Sequence, residues 1–133
     1  MKNRKRAGPA WARRYRTGTQ PVAPGGRVRL PVWESGDKTF LPMGDGGCRL
    51  PAGWYLLAFT ADGVSEGAEA GAVFTLNGAQ IVNTLSLLPG GGKGRLALLT
   101  LLPLLGSGEL AVEHPGPGQL RCTNGEMTIL RLG

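Results

Sequence analysis

The side chains able to do chemistry are few and far apart. His114 is the only histidine, and Cys48 and Cys122 are the only cysteines. A hydroxyl or thiol nucleophile needs a base within hydrogen-bond reach and a third group to orient it. One histidine and four scattered serines, Ser35, Ser65, Ser86 and Ser107, offer no such set. His114, beside Pro115, is expected at the surface. A zinc site takes three or four Cys and His ligands at close spacing, and the chain has too few to arrange one. Asp37, Asp45, Asp62, Glu66 and Glu69 are expected in turns as solvated acids, with no calcium-binding loop of the EF-hand type. Pro89-Gly90-Gly91-Gly92-Lys93-Gly94 has a phosphate-loop look, but Leu87 stands where the first glycine belongs and Gly94 follows the lysine in place of Ser or Thr. It reads as a flexible loop. The two cysteines read equally as buried free thiols or as one disulfide, and as non-catalytic. The expectation is therefore no enzyme, no metal and no cofactor.

The charges are more informative than the nucleophiles. The first 29 residues hold nine of the 15 basic side chains and no Asp or Glu, while the remainder holds six basic and nine acidic ones. A mildly acidic domain thus carries a basic N-terminal arm, residues 1–26, whose Gly8-Pro9 and Pro24-Gly25-Gly26 are linker chemistry. A short helix is allowed over 9–16, since proline is tolerated in a first turn. Arg4, Arg6, Arg13, Arg14 and Arg16, interleaved with Trp11 and Tyr15, are the arm's candidate contacts. They suit either a connector that docks on a neighbouring subunit or a nucleic-acid tail that neutralises phosphates and stacks on bases. No apolar run follows the basic start, so no secretory leader is expected. The longest apolar stretch, Leu96 to Leu105, spans ten residues against the twenty or so of a membrane helix.

Positioning these residues falls to strands. With 23 Gly and 10 Pro spread among apolar runs, few windows are long enough for a helix. Strands are expected at 27–32, 39–41, 48–50, 54–61, 72–76, 80–83, 96–105, 109–113 and 126–132. Asn77-Gly78 and Gly106-Ser107-Gly108 are expected hairpin turns. The run Trp54–Ala61 is apolar on both faces: Tyr55, Leu57, Phe59 and Ala61 on one, Trp54, Leu56, Ala58 and Thr60 on the other. Leu96–Leu105 repeats this, with Leu99 and Leu101 opposite Leu96 and Leu98. A half-solvated antiparallel sheet alternates apolar and polar residues. Double-sided strands in a single small domain imply cover from another subunit.

The ordered pieces Leu50-Pro51-Ala52-Gly53-Trp54-Tyr55, Phe74-Thr75-Leu76-Asn77-Gly78, Leu101 to Leu110 around Gly106-Ser107-Gly108-Glu109, and Met127-Thr128-Ile129-Leu130-Arg131-Leu132 resemble a known pattern. They are similar to the C-terminal jelly-roll domains of collagen-like glycoproteins on bacterial spore surfaces, the exosporium, and to the trimeric tumour-necrosis-factor-like and complement globular heads. The resemblance runs over about residues 27–133. The collagen stalk is absent, the basic arm stands in its place, and the usual turn Asp is Glu109.

The resemblance implies an all-β, jelly-roll β-sandwich (TNF-like) domain at 27–133 behind the arm at 1–26. It further implies a homotrimer with higher-order self-assembly, as a structural unit of a spore-surface layer or appendage fibre. Trp54, Tyr55, Leu56, Phe59, Leu99, Leu101 and Ile129 are the residues expected at the trimer interface or core. The alternatives are a virion or capsid-associated jelly roll with a nucleic-acid-binding arm, and a trimeric head that recognises a receptor or glycan. The location expected is a spore or cell surface, or a virion.

Overall fold

Side chains that alternate with a period of two leave a strand on opposite faces, so two sheets laid face to face bury one set from each. The computed structural model, which describes residues 10–36 and 38–133, is built on this rule throughout. Its strands are β1 (Trp11–Tyr15), β2 (Thr19–Val22), β3 (Val32–Ser35), β4 (Leu41–Met43), β5 (Gly47–Leu50), β6 (Gly53–Glu66), β7 (Ala70–Leu76), β8 (Ala79–Leu88), β9 (Lys93–Leu104), β10 (Gly108–Glu113) and β11 (Gln119–Arg131). One sheet runs β3-β1-β11-β6-β9, with β2 also on β11; the other runs β4-β5-β10-β7-β8. Every pairing between strands is antiparallel. The all-β jelly-roll sandwich expected from the sequence is the fold.

The core lies between the sheets. Tyr55, Leu57, Phe59 and Ala61 of β6, Leu96 and Leu98 of β9, and Met127 and Ile129 of β11 point inward and are buried. They meet Leu50, Ala72, Phe74, Leu110 and Val112 of the opposite sheet in one cluster. Tyr55 also packs its ring 5.9 Å from Phe40 and donates its hydroxyl hydrogen bond to the Pro51 carbonyl at 2.6 Å. Asn77 and Gly78 turn β7 into β8 with φ of 52° and 84°, as the hairpin signal requires.

The N-terminal region departs from expectation. No helix forms at 10–16: Trp11–Tyr15 is a strand held on both sides, with Ala12 opposite Ile129 of β11 and Ser35 of β3. β2 pairs the other half of β11, Leu120 opposite Val22 and Thr123 opposite Thr19. The boundary drawn after residue 26 therefore does not separate an arm from the sandwich, because residues 11–22 belong to its central sheet. Residues 1–9 lie outside the described residues. The strand expected at 27–32 is instead an extended connection with a single bridge, Arg27 to Glu113. Val28 and Leu30 are nevertheless fully buried, and Gln20 fixes this connection by accepting from the Arg29 N–H and donating to the Arg29 carbonyl, at 2.9 and 2.7 Å.

Arg14 is the key of β1. Its side chain is buried between the sheets and donates to the carbonyls of Gly47 at 2.7 Å, Gly44 at 3.2 Å and Met43 at 3.3 Å. Burial lowers its pKa, against the opposing pull of Cys48 and Asp45. A guanidinium can satisfy several carbonyls at once because its donors form a rigid fork. Replacing Arg14 by Ala should cost about 2–4 kcal/mol in urea unfolding, by stranding buried carbonyls and opening a void. Arg14→Lys should recover only part of this, and an unchanged midpoint in Arg14→Ala would refute the role.

Candidate functional site

The outward face of the β3-β1-β11-β6-β9 sheet changes character along its length. At one end the side chains are apolar row after row. Trp54 stands beside Pro103; Leu56 lies between Leu101 of β9 and Leu130 of β11, with Trp11 beyond; Ala58 lies between Leu99 and Thr128. Trp54, Leu99 and Leu101 are 54%, 70% and 58% exposed. At the other end the same strands carry ion pairs: Asp62 with Arg95 at 3.1 Å and Glu66 with Arg121 at 3.3 Å. Toward β3, Arg13 binds Glu34 at 3.0 Å and Glu126 at 3.1 Å, so one cation ties three strands, and it lies 4.3 Å over the Tyr15 ring. Pairs this exposed contribute little stability, so they serve to mark the limit of the dry region.

A second apolar strip lies on the other sheet. β9 is the last strand of its sheet and β8 the last of the other, and the Ala97 N–H donates to Ser86 Oγ at 3.3 Å where they meet. β8 turns Val82, Leu85 and Leu87 to solvent, with Val82 79% exposed. The molecule thus exposes two apolar patches, one on the outward face of each sheet. Exposed apolar patches of this kind mark contact sites.

The residues expected at the interface or core divide by face. Tyr55, Phe59 and Ile129 are in the monomer's own core, Trp54, Leu99 and Leu101 are on the outward face, and Leu56 is half-buried on that face. The candidate contacts at the N-terminus also divide. Arg14 is spent inside its own sandwich, Arg13 and Tyr15 are held by Glu34, and Trp11 lies over Gly36 at the sheet surface. Arg16 contributes its backbone N–H to Gly125, and Arg4 and Arg6 lie outside the described residues. The β8 edge strip was not foreseen, because a strand ending at Asn83 excludes Leu85 and Leu87. Asn83 adopts φ 66°, and β8 takes up three extra residues between the pairs Val73–Leu85 and Thr75–Gln80. That bulge hides the alternation.

Two expectations about chemistry are corrected. His114 is fully buried: its Nδ1 accepts from the Gly116 N–H at 3.1 Å and the Gly71 N–H at 3.4 Å, and its Nε2 bonds the Gly118 carbonyl. It fastens the 114–118 loop to the start of β7. Asp62 and Glu66 are ion-paired strand residues and do not lie in turns. Cys48 and Cys122 are free and buried in different sheets, which resolves the alternatives left open by spacing. Burial pushes the thiols up to about 12 and about 11, with Arg14 partly opposing the shift at Cys48 and Asp62 adding to it at Cys122. Two open hollows of about 340 Å³ flank the ionic half of the face, one against Asp62, Lys93 and Arg95, the other against Thr19, Pro21 and Arg121. No described group of three or more His, Cys, Asp and Glu is arranged to hold a metal ion.

No protein-family model matches the chain, and no curated protein matches its sequence. Solved structures share its fold. The globular domain of a zebrafish complement 1qA protein aligns with TM-score 0.68 and 14% identity over 95% of this chain and 98% of that one. Murine APRIL aligns with TM-score 0.69 and 13% identity over 94% and 100%. The PRD1 vertex protein P5 aligns with TM-score 0.59 and 13% identity over 96% and 100%. The sandwich is therefore a TNF-like jelly roll.

Neither thiol should behave as a nucleophile. A disulfide reagent at pH 8 should leave both cysteines of the folded protein unlabelled and modify both after denaturation; rapid native labelling would contradict the burial. The linked stability has a definite sign. A thiol raised on folding contributes in full below its unfolded value and loses that contribution as pH rises from 9 toward the folded values of about 11 and about 12. Alkaline unfolding in this window should be blunted in Cys48→Ser and Cys122→Ser proteins.

Proposed function

We propose that the chain is a structural, self-assembling building block that forms a homotrimer, and that it has no catalytic role. The observation that carries this reading is the apolar surface made by Trp54, Leu56, Leu99, Leu101 and Leu130 together with the separate exposed strip of Val82, Leu85 and Leu87 on the edge strand β8. Face and edge are different patches. Packing the edge of one copy on the face of the next is a heterologous contact, which closes into a ring when the rotation allows. A three-membered ring is the closure favoured by the sequence resemblance to trimeric heads. The ionic half of the face then lies at one end of the ring, where solvent can reach it.

The same resemblance favours a place in a spore-surface layer or appendage, where trimers join into larger structures. Residues 1–9, with Lys2, Arg4, Lys5 and Arg6, remain as the stretch available to link one trimer to the next. The likeness to the PRD1 vertex protein P5 supports a second reading, a virion protein of the same assembly.

Light scattering at micromolar concentration should report the mass of three chains or a multiple of it, and a monodisperse monomer or dimer would overturn the proposal. Leu99→Asp and Leu101→Asp should each give a folded monomer with an unchanged circular dichroism spectrum, because both side chains point away from the monomer core. Leu98→Asp, one residue away and buried, should instead unfold the chain, since an uncompensated charge in the core costs several kcal/mol. If Leu99→Asp and Leu101→Asp both remain trimeric and equally stable, the interface is elsewhere.

A further inference from the structure

We propose that the ionic half of the outward face binds an acidic sugar, a short oligosaccharide that carries carboxylates. Two cross-strand rows build the site. In the first, Thr19 of β2, Thr123 of β11, Asp62 of β6 and Arg95 of β9 stand side by side. In the second, Pro21, Arg121, Val64 and Lys93 do the same. Residues two apart on a strand share a face, so these side chains leave the sheet together, and none of them is buried. Three strand spacings make each row about 14 Å long. The hollow against Asp62, Val64, Lys93 and Arg95 reaches β11 at Thr123, and the hollow against Thr19 and Pro21 reaches it at Arg121. Those two residues are successive on this face of β11, so the hollows lie side by side.

The polar groups here have bonding capacity to spare. One contact joins Asp62 Oδ1 to Arg95 at 3.1 Å, and one joins Glu66 Oε2 to Arg121 at 3.3 Å, with all four side chains more than half exposed. A carboxylate has about four acceptor sites and a guanidinium about five donors, so most of these face water. Among the described residues Lys93 has no carboxylate at ion-pair distance. The hydroxyls of Thr19 and Thr123 bond each other at 2.8 Å, which uses one of their two protons and leaves the other for a ligand.

The mixture of charges selects the ligand. Cations alone would suit any polyanion, and nucleic acid brings a phosphate at every nucleotide. Asp62 and Glu66 oppose that density of charge, whereas the hydroxyls of a sugar donate to them. A carboxylate on the same sugar takes Lys93 or a guanidinium, and Val64 and Pro21 offer apolar contact to the C–H face of a ring. Single-stranded bases stack on aromatic side chains, and no ring lines either hollow. Trp54 stands ten positions along β6 from Val64, about 33 Å away, and Tyr15 has Arg13 4.3 Å over its face. The site lies on one chain and outside the apolar patches assigned to subunit contact, so it does not rest on the proposed trimer.

Calorimetric titration of the full chain with oligogalacturonate tests this. That sugar should bind, and a neutral malto-oligosaccharide of the same length should not. Lys93→Gln should weaken binding about tenfold, the loss of one hydrogen bond to a charged group. Asp62→Ala should also weaken it several-fold, although it removes a negative charge, because sugar hydroxyls lose their acceptor. Both side chains are exposed, so the circular dichroism spectrum and the light-scattering mass of both variants should match those of the unaltered protein. The proposal is overturned if oligogalacturonate does not bind, or if the neutral sugar binds as well. Tighter binding by Asp62→Ala overturns it in favour of a site for bare negative charge. Displacement of the sugar by an equal concentration of single-stranded oligonucleotide overturns it in favour of nucleic acid.

Discussion

Tyr55, Leu57, Phe59 and Ala61 leave β6 on one side and Trp54, Leu56 and Ala58 on the other, and a pleated strand can turn only one of these sets toward the opposite sheet. The constraint is geometric and cannot be relaxed by rotating side chains. The larger set of rings and branches goes inward, where Phe74 and Leu110 meet it. The remaining set needs cover that the chain itself does not supply, and β9 on one flank and β11 on the other repeat the need with Leu99, Leu101 and Leu130. The limit of that uncovered surface is set by the charged pairs that bound it, Asp62 with Arg95, Glu66 with Arg121, and Arg13 with Glu34 and Glu126.

The sequence made the pleat of this arrangement legible. The period of two separated the side chains of 54–61 and of 96–105 into two sets each, because both strands are long, regular and free of interior glycine over those stretches, but with both sets apolar it did not say which set turns inward. Asn77-Gly78 marked its turn for the same local reason. Readings failed where tertiary pairing overrode local chemistry. Trp11–Tyr15 is flanked by prolines and rich in arginine, which suggests a linker; what makes it a strand is the slot between β3 and β11, and no local property of WARRY announces that slot. Arg14 misled most, since an arginine in a basic segment reads as a surface charge, whereas carbonyl oxygens of the 43–47 turn hold it inside.

His114 shows a related limit. Nothing in the residues around it distinguishes a solvated imidazole from one that gathers backbone N–H groups from its own loop and from the start of β7. The partners, Gly71 and Gly116, carry no side chain that could advertise the contact. The proposed contact surface was partly legible: its patch on β6 and β9 could be named by residue, while the strip on β8 was hidden by a bulge at Asn83 that interrupts the period of two.

The placing of β11 sets a rule for how the molecule is made. It lies between β1 and β6 and also carries β2, so three strands from the first half of the chain depend on residues 119–131 for a neighbour. Until that segment has left the ribosome, β1 has only β3 beside it and β2 has no partner strand, and this sheet exists as two unjoined parts. Contacts spanning more than a hundred residues must close before the sandwich is whole, an arrangement that slows folding. The nascent chain therefore holds its apolar strands open until residues 119–131 have emerged, and neighbouring chains must stay apart during that interval so that each completes its own sheet before meeting another.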